Sequence, residues 1–190
     1  RMSHPDFNSK VWWNTTVGMS VVSGSPMLAS AVGGAGFDWA VLDTTVLSTV
    51  EVLQMLQALG DASSGQMRGG LPVLVRVSGP KDRSGIQQAA DAGAAGVLVP
   101  NVRSLADAEL ARKRALYPLS GGTRSLSGPA RAHHKQNTLL HMTRADSSVC
   151  VCLDLSKAST DDWAGIISDC DFHVAVLDIA KCMYDAISKI

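Results

Sequence analysis

Residues 36–56 read GFDWAVLDTTVLSTVEVLQML. Phe37 to Leu42 form a short, nearly continuous apolar run, as expected of a strand buried on both faces. Beyond it, Val50, Leu53, Leu56 and Leu59 recur at helical spacing and stop at Gly60, a favoured residue for closing a helix. The stretch is therefore strand, loop and helix. The loop Asp43-Thr44-Thr45-Val46 falls just past the strand's carboxyl end, where parallel α/β proteins gather their chemistry. The position suits catalysis, yet two threonines and a valine follow the aspartate.

The same unit recurs on either side. TVGMSVV (16–22) reads as a first strand, and SPMLASAVGGAG (25–36) opens with Ser25 and Pro26, a cap followed by a first-turn proline. LPVLVRV, AAGVLVP, SVCVCLDL and FHVAVLD read as further strands. DRSGIQQAADAG, SLADAELARKRAL, STDDWAGIISDC and IAKCMYDAISKI read as further helices, with Ser104 as an N-cap. Residues 117–140, YPLSGGTRSLSGPARAHHKQNTLL, break the rhythm and read as one long basic loop rich in Gly and Ser. About six βα units in strict alternation predict either a doubly wound sheet or a (β/α) barrel. VGGAGFD ends a helix and precedes a strand, the wrong order for a phosphate-binding glycine loop, so its glycines mark a turn.

Composition narrows the function. The chain has 190 residues, 46% hydrophobic and 18% charged, with 17 basic against 17 acidic side chains. That is the balance of one globular domain over residues 1–190, with no basic stripe for nucleic acid or an anionic membrane. No apolar run reaches the ~18 residues of a membrane span, and RMSHPDFNSK has no signal-peptide core. Four cysteines are present. Cys150 and Cys152 share one face of an apolar strand, and the spacing of paired zinc ligands is absent. They read as reduced core thiols, which points to a cytoplasmic setting.

GFDWAVLD, PVLVRV, AADAGAAGVLVPNVRSLADAELA, ALYPLSGGTRSLSGPARA and VCVCLDLSKA occur in this order, from about Val17 to Ala158. In this series the chain resembles the HpcH/HpaI aldolase family. The resemblance implies a TIM-type (β/α) barrel, usually oligomeric. It also implies a divalent metal that enolises a pyruvate-like keto acid while an aldehyde is added or removed. The family includes a natural-product branch that forms rings.

Residue by residue, the match is partial. The family's loop after the second strand normally reads Asp-x-Glu-His, the histidine serving acid/base chemistry; here Asp43 matches, while Thr45 and Val46 replace the glutamate and histidine. Arg76 matches the third-strand arginine that meets substrate oxygen. Asp154 stands where the family has a glutamate metal ligand, and the Gly-Pro-x-Asp motif of the second ligand has no counterpart. The resemblance thus marks a catalytic loop without its base. If FHVAVLD is the sixth strand, the second ligand position falls near Lys181. If it is the eighth, the better match, two units are missing, since a complete barrel takes about 250 residues. Either they are lost, or the sequence skips a segment near Cys170 and Asp171.

The expected site comprises Arg76 and Asp43 as catalytic residues, with Thr45, Pro100, Asp154 and Trp12 toward substrate. Arg76 also reads as a mouth arginine paired with Asp43 or Asp154, and Asp43 as a cap for its loop. His133 and His134 read as solvated loop residues, with a lid as the alternative; Tyr117 and Arg124 read as structural. No cofactor is expected, the alternative being Mg or Mn through Asp154. The resulting expectation is a repurposed, metal-independent cyclase or lyase acting on an apolar carbonyl compound. A divergent aldolase and a non-catalytic binding protein are the alternatives. The expected partners are a small molecule and further copies of the chain.

Overall fold

The computed structural model describes residues 16–63, 71–126, 138–169 and 174–176. Six strands form one sheet: β1 (Gly18–Val21), β2 (Trp39–Asp43), β3 (Val73–Arg76), β4 (Gly96–Val99), β5 (Cys150–Asp154) and β6 (Val174–Val176). Their spatial order is their chain order, and every neighbouring pair is parallel. A doubly wound sheet must reverse its strand order at a switch point. This sheet does not, so right-handed crossovers put all the connecting helices on one face. The result is a (β/α)-barrel sheet left open among the described residues.

The helices are α1 (Pro26–Gly34), α2 (Thr49–Ser63), α3 (Arg83–Asp91), α4 (Leu105–Ala115), α5 (Thr138–Ser148) and α6 (Thr160–Asp169). Local chemistry sets where they start. The Ser25 hydroxyl accepts the Leu28 N–H, with Pro26 at the first helical position; Asp82 and Ser104 cap α3 and α4 in the same way. Helix α5 starts in the last residues of the stretch the sequence presented as one long loop, 117–140, and continues through 141–148, to which the sequence reading gave no element. Of the strand expected from FHVAVLD, Val174–Val176 are described and pair directly with β5, which makes this the sixth strand of the described sheet. Residues 127–137 and 177–190, with His133, His134 and the terminal helix expected from IAKCMYDAISKI, lie outside the described residues, as do Cys170 and Cys182.

Alternation along the strands separates two cores. Ala40, Leu42, Val73, Val75, Val97, Val99, Val151 and Leu153 face the helices and join the main cluster with Leu59, Ile86 and Ile166. Val41, Leu74, Cys150 and Cys152 form the inner cluster, against Trp39 and Leu98. The register shows this interior as layers. Ser20, Val41, Leu74, Gly96 and Cys150 align across five strands. One pleat nearer the carboxyl ends, Asp43 aligns with Arg76, Leu98 and Cys152. Gly18 lies beneath this, its missing Cβ leaving room for the Trp39 ring. The two thiols are buried core groups, as expected, with their Sγ atoms 3.5 Å apart.

Candidate active site

Strand parity puts the polar groups at the mouth. Asp43 and Arg76 are the last residues of β2 and β3 and share the inner layer just described. Asp154 ends β5 two residues beyond Cys152 and so points to the same face. The mouth is polar along β2 and β3 and apolar along β4 and β5, where Leu98 and Cys152 occupy the same layer.

Asp43 and Arg76 form an ion pair, Nη1 to Oδ2 at 2.8 Å, with side chains 17% and 32% exposed. The other carboxylate oxygen, Oδ1, accepts the Thr45 amide at 2.9 Å and the Thr45 hydroxyl at 2.7 Å. The Thr44 hydroxyl donates to the Arg76 carbonyl at 2.8 Å, and the Thr44 amide donates to the same oxygen at 3.0 Å. Thr44 therefore holds the loop against β3, while Thr45 ties it back to Asp43 at the end of β2. Val46, at the family's histidine position, is 59% exposed and has nothing to titrate. Thr45, expected toward substrate, directs both its amide and its hydroxyl to Asp43.

Burial alone raises the Asp43 carboxyl. The Thr45 hydroxyl and amide, with the Arg76 guanidinium, outweigh it and hold the group below its ordinary 3.8. Asp43 is thus held ionised, with both carboxylate oxygens bound by neighbouring side chains or backbone. A depressed folded-state pKa contributes stability that is present above the unfolded value and lost as pH falls through the folded one. Thermal unfolding of wild type and Asp43→Asn across the acid range is expected to show a gap that narrows as pH drops below about 4. A gap that stays constant with pH would leave the ionised Asp43 without support.

Of the other expected site residues, Asp154 is half-buried and turns Oδ1 toward the Ser156 amide at 3.0 Å. Pro100 is buried directly after the carboxyl end of β4, its carbonyl beside Gly79. Trp12 lies outside the described residues. Among the described residues, no three His, Cys, Asp or Glu side chains come together as a metal cluster. Asp43 is already engaged by Arg76 and Thr45, which leaves Asp154 as one carboxylate where Mg2+ or Mn2+ takes several oxygens. The described residues therefore do not make up the family's donor set.

A groove of about 1280 Å³ runs between α2 and α3. Its lining includes Val52, Gln88 and Val75, and Val75 faces the helices, so it is a gap between helices and not the mouth. A smaller cavity of about 510 Å³ lies between the loops that follow β3 and β4. Nothing in the sequence pattern marked it, because its side chains come from two loops whose contact depends on the strand register.

The tertiary contacts behind the mouth are structural. Arg124 is 4% exposed, and its Nη2 and Nε donate to Asp91 Oδ1 at 2.7 and 3.2 Å. Its guanidinium lies 4.4 Å from the Tyr117 ring centroid. Tyr117 stacks edge-on to His141, with ring centroids 6.0 Å apart, and its amide donates to Asp146 Oδ1. Burial pushes the Tyr117 phenol up, against the pull of Arg124, so it stays neutral.

The described residues thus form an open (β/α)-barrel sheet with a polar pair at the strand ends and an apolar opposite wall. Similarity to known proteins agrees. The chain is 31% identical to a hydroxypyruvate/pyruvate aldolase of Pseudomonas aeruginosa over 143 residues, 74% of this chain and 50% of that protein. It is 30% identical to a 4-hydroxy-2-oxovalerate aldolase of Rhodococcus jostii over 149 residues, 76% of this chain and 53% of that protein. The chain thus spans about half the length of these curated relatives. Among solved structures, an HpcH/HpaI aldolase from Desulfitobacterium hafniense superposes with a TM-score of 0.73 at 20% identity, over 91% of this chain and 65% of that one. Macrophomate synthase gives 0.76 at 21% identity, over 98% and 66%. No family model matches the chain. The chain is thus similar in sequence to these aldolases and in fold to the HpcH/HpaI aldolases. Among the described residues, no helix is long and apolar enough to cross a membrane.

Proposed function

We propose that the chain belongs to a repurposed lyase-type enzyme that makes or breaks a carbon–carbon bond in an apolar, carbonyl-bearing small molecule. The substrate's carbonyl or carboxylate meets the Arg76 guanidinium, and its apolar part lies along the Leu98 and Cys152 side. The observation that carries this reading is the state of the base loop. The Asp43 carboxylate is bound on both oxygens by Arg76 and Thr45, and Val46 has no proton to move. A site of this kind favours reactions that need orientation and carbonyl polarisation more than proton abstraction. Ring closure between two ends of one molecule is such a reaction. Holding those ends in a near-attack pose supplies ~7–11 kcal/mol in the best intramolecular cases, and a charged donor at the carbonyl adds electrostatic help. In this reading the chemistry is metal-independent.

Calorimetric titration with Mg2+ and Mn2+ is therefore expected to give no site-binding heat, and turnover is expected to persist in a chelator. Asp154→Ala should cost less turnover than Arg76→Ala. Stoichiometric metal binding that Asp154→Ala abolishes, together with inactivation by the chelator, would establish the second reading, a divergent Mg- or Mn-dependent 2-oxo acid aldolase. The position of Asp154 on the same face as Arg76 favours that alternative. A binding protein without catalysis is the third outcome, reached if ligand binds and no product forms.

The chain is further expected to self-associate. Met19 on β1 is 39% exposed, and Met27 and Leu28 on α1 are 82% and 46% exposed. These apolar side chains lie at the open edge of the sheet, which proteins generally cover. Light scattering should return a mass of at least two chains, and a monodisperse monomer would refute this.

A further inference from the structure

The cavity between the β3 and β4 loops has the features of a built site. Its walls are fixed by the loops' own hydrogen bonds. The Ser78 amide donates to Asp82 Oδ2 at 3.2 Å, and the Asp82 amide to the Gly79 carbonyl at 3.1 Å. Arg114 reaches over from α4 to the Pro80 carbonyl at 2.7 Å. On the other side, the Arg103 amide donates to Asp107 Oδ2 at 3.1 Å, in the first turn of α4. The two loops touch at Gly79, where a Cβ would lie 3.6 Å from the Pro100 carbonyl.

Four charged side chains line this cavity: Lys81, Arg103, Asp82 and Asp107. The two acids are occupied. Asp82 caps α3, accepting the Gly85 amide on Oδ1 and the Ser78 amide on Oδ2, and these bonds hold its carboxyl below the ordinary range although burial raises it. Asp107 accepts the Arg103 amide as described, so both carboxylates are turned toward backbone N–H groups. The two cations are exposed, and neither Lys81 nor Arg103 forms an ion pair among the described residues. One cavity therefore presents an ammonium and a guanidinium with no ion-pair partner among the described residues, next to two carboxylates that are turned toward backbone N–H groups. It lies beyond the carboxyl ends of β3 and β4, the same end of the sheet as Arg76, because its loops follow directly from those strands.

We propose that Lys81 and Arg103 form an anion subsite that takes an anionic oxygen group, a carboxylate or a phosphate, at the distal end of the substrate. The inference rests on the reading of the mouth as a small-molecule site and extends it. The substrate carries a carbonyl end for Arg76 and a second, charged end for this cavity. A planar guanidinium beside a point-charge ammonium suits either oxyanion.

The test titrates inorganic phosphate and succinate separately into the protein by calorimetry, at ionic strength held constant with chloride. At least one should bind one-to-one, and which of them does identifies the oxyanion. Lys81→Ala/Arg103→Ala should weaken that binding by about tenfold or more, with an unchanged melting temperature because both side chains are exposed. Lys81→Met and Arg103→Gln, made singly, should each weaken it in part and serve if the double variant folds poorly. Arg76→Ala should weaken it far less than the double variant does. If neither anion binds, or if the double variant binds like wild type, the subsite does not exist. If Arg76→Ala alone abolishes binding, the anion sits in the mouth; the subsite then fails while the mouth reading stands.

Discussion

Arg124→Ala is expected to lower the stability of the fold by about 3 kcal/mol, the largest effect of any single substitution considered for this chain. The side chain is nearly all buried. It meets Asp91 through two donors and covers the Tyr117 ring with its guanidinium face. Truncation removes that packing and leaves the Asp91 carboxylate, 22% exposed, without its cation. Breaking a buried pair by one partner typically costs ~3–5 kcal/mol, and the residual exposure of Asp91 places this case at the lower end. For a domain of this size the loss corresponds to a fall in Tm of roughly 6–12 °C. Arg124→Met with Asp91→Leu should cost less than Arg124→Ala alone, since no charge is then left unpaired. If the double variant is the less stable of the two, the pair stabilises the fold outright, contrary to this account.

The region around Arg124 also shows where sequence reasoning ran out. The strands were legible because β2 to β5 are buried on both faces, and such runs look the same in any parallel sheet. Helices α1 and α4 were legible through their caps, since Ser25 and Ser104 act locally. Helix α5 was not. Its apolar residues Leu139 and Leu140 are 59% and 45% exposed, and the side chain it buries is His141, against Tyr117. A helix docked through a histidine on a tyrosine offers no apolar period, and its glycine- and serine-rich approach hid the start.

The site was legible in its parts. Asp43 and Arg76 were each identifiable, and their pairing was one of the possibilities. Choosing it required the register that sets Asp43 opposite Arg76. The bonds Thr45 makes to Asp43 were hidden for the same reason: a hydroxyl two residues past an aspartate turns to a ligand or to its own loop, and the sequence does not choose between them. The family resemblance supplied the roles of the matched positions. The loss of the histidine at Val46 was visible in the sequence, whereas the commitment of Asp43 became visible only in the fold.

That commitment makes Arg76 the residue on which binding at the mouth should depend most. Arg76→Ala is expected to weaken binding of pyruvate, used as a minimal keto-acid probe, by roughly tenfold to a hundredfold. Loss of a charge-assisted hydrogen bond typically costs ~1.5–3 kcal/mol. If the same bond strengthens as the carbonyl gains charge, turnover of the true substrate should fall by a similar factor. The fold should persist, because the Asp43 ion pair is partly exposed and pairs of that kind contribute about 1 kcal/mol or less. Arg76→Lys separates charge from shape. A lysine keeps the charge but not the planar fork, so it should restore part of the binding and little of the turnover. Asp43→Asn gives the complementary test. It removes the counter-charge while keeping an acceptor for Thr45, so the guanidinium gains freedom and anion binding should hold or improve. If Asp43→Asn instead abolished turnover while Arg76→Ala left it intact, the aspartate would be the working base of this loop, and the reading of Asp43 as an anchor would be wrong.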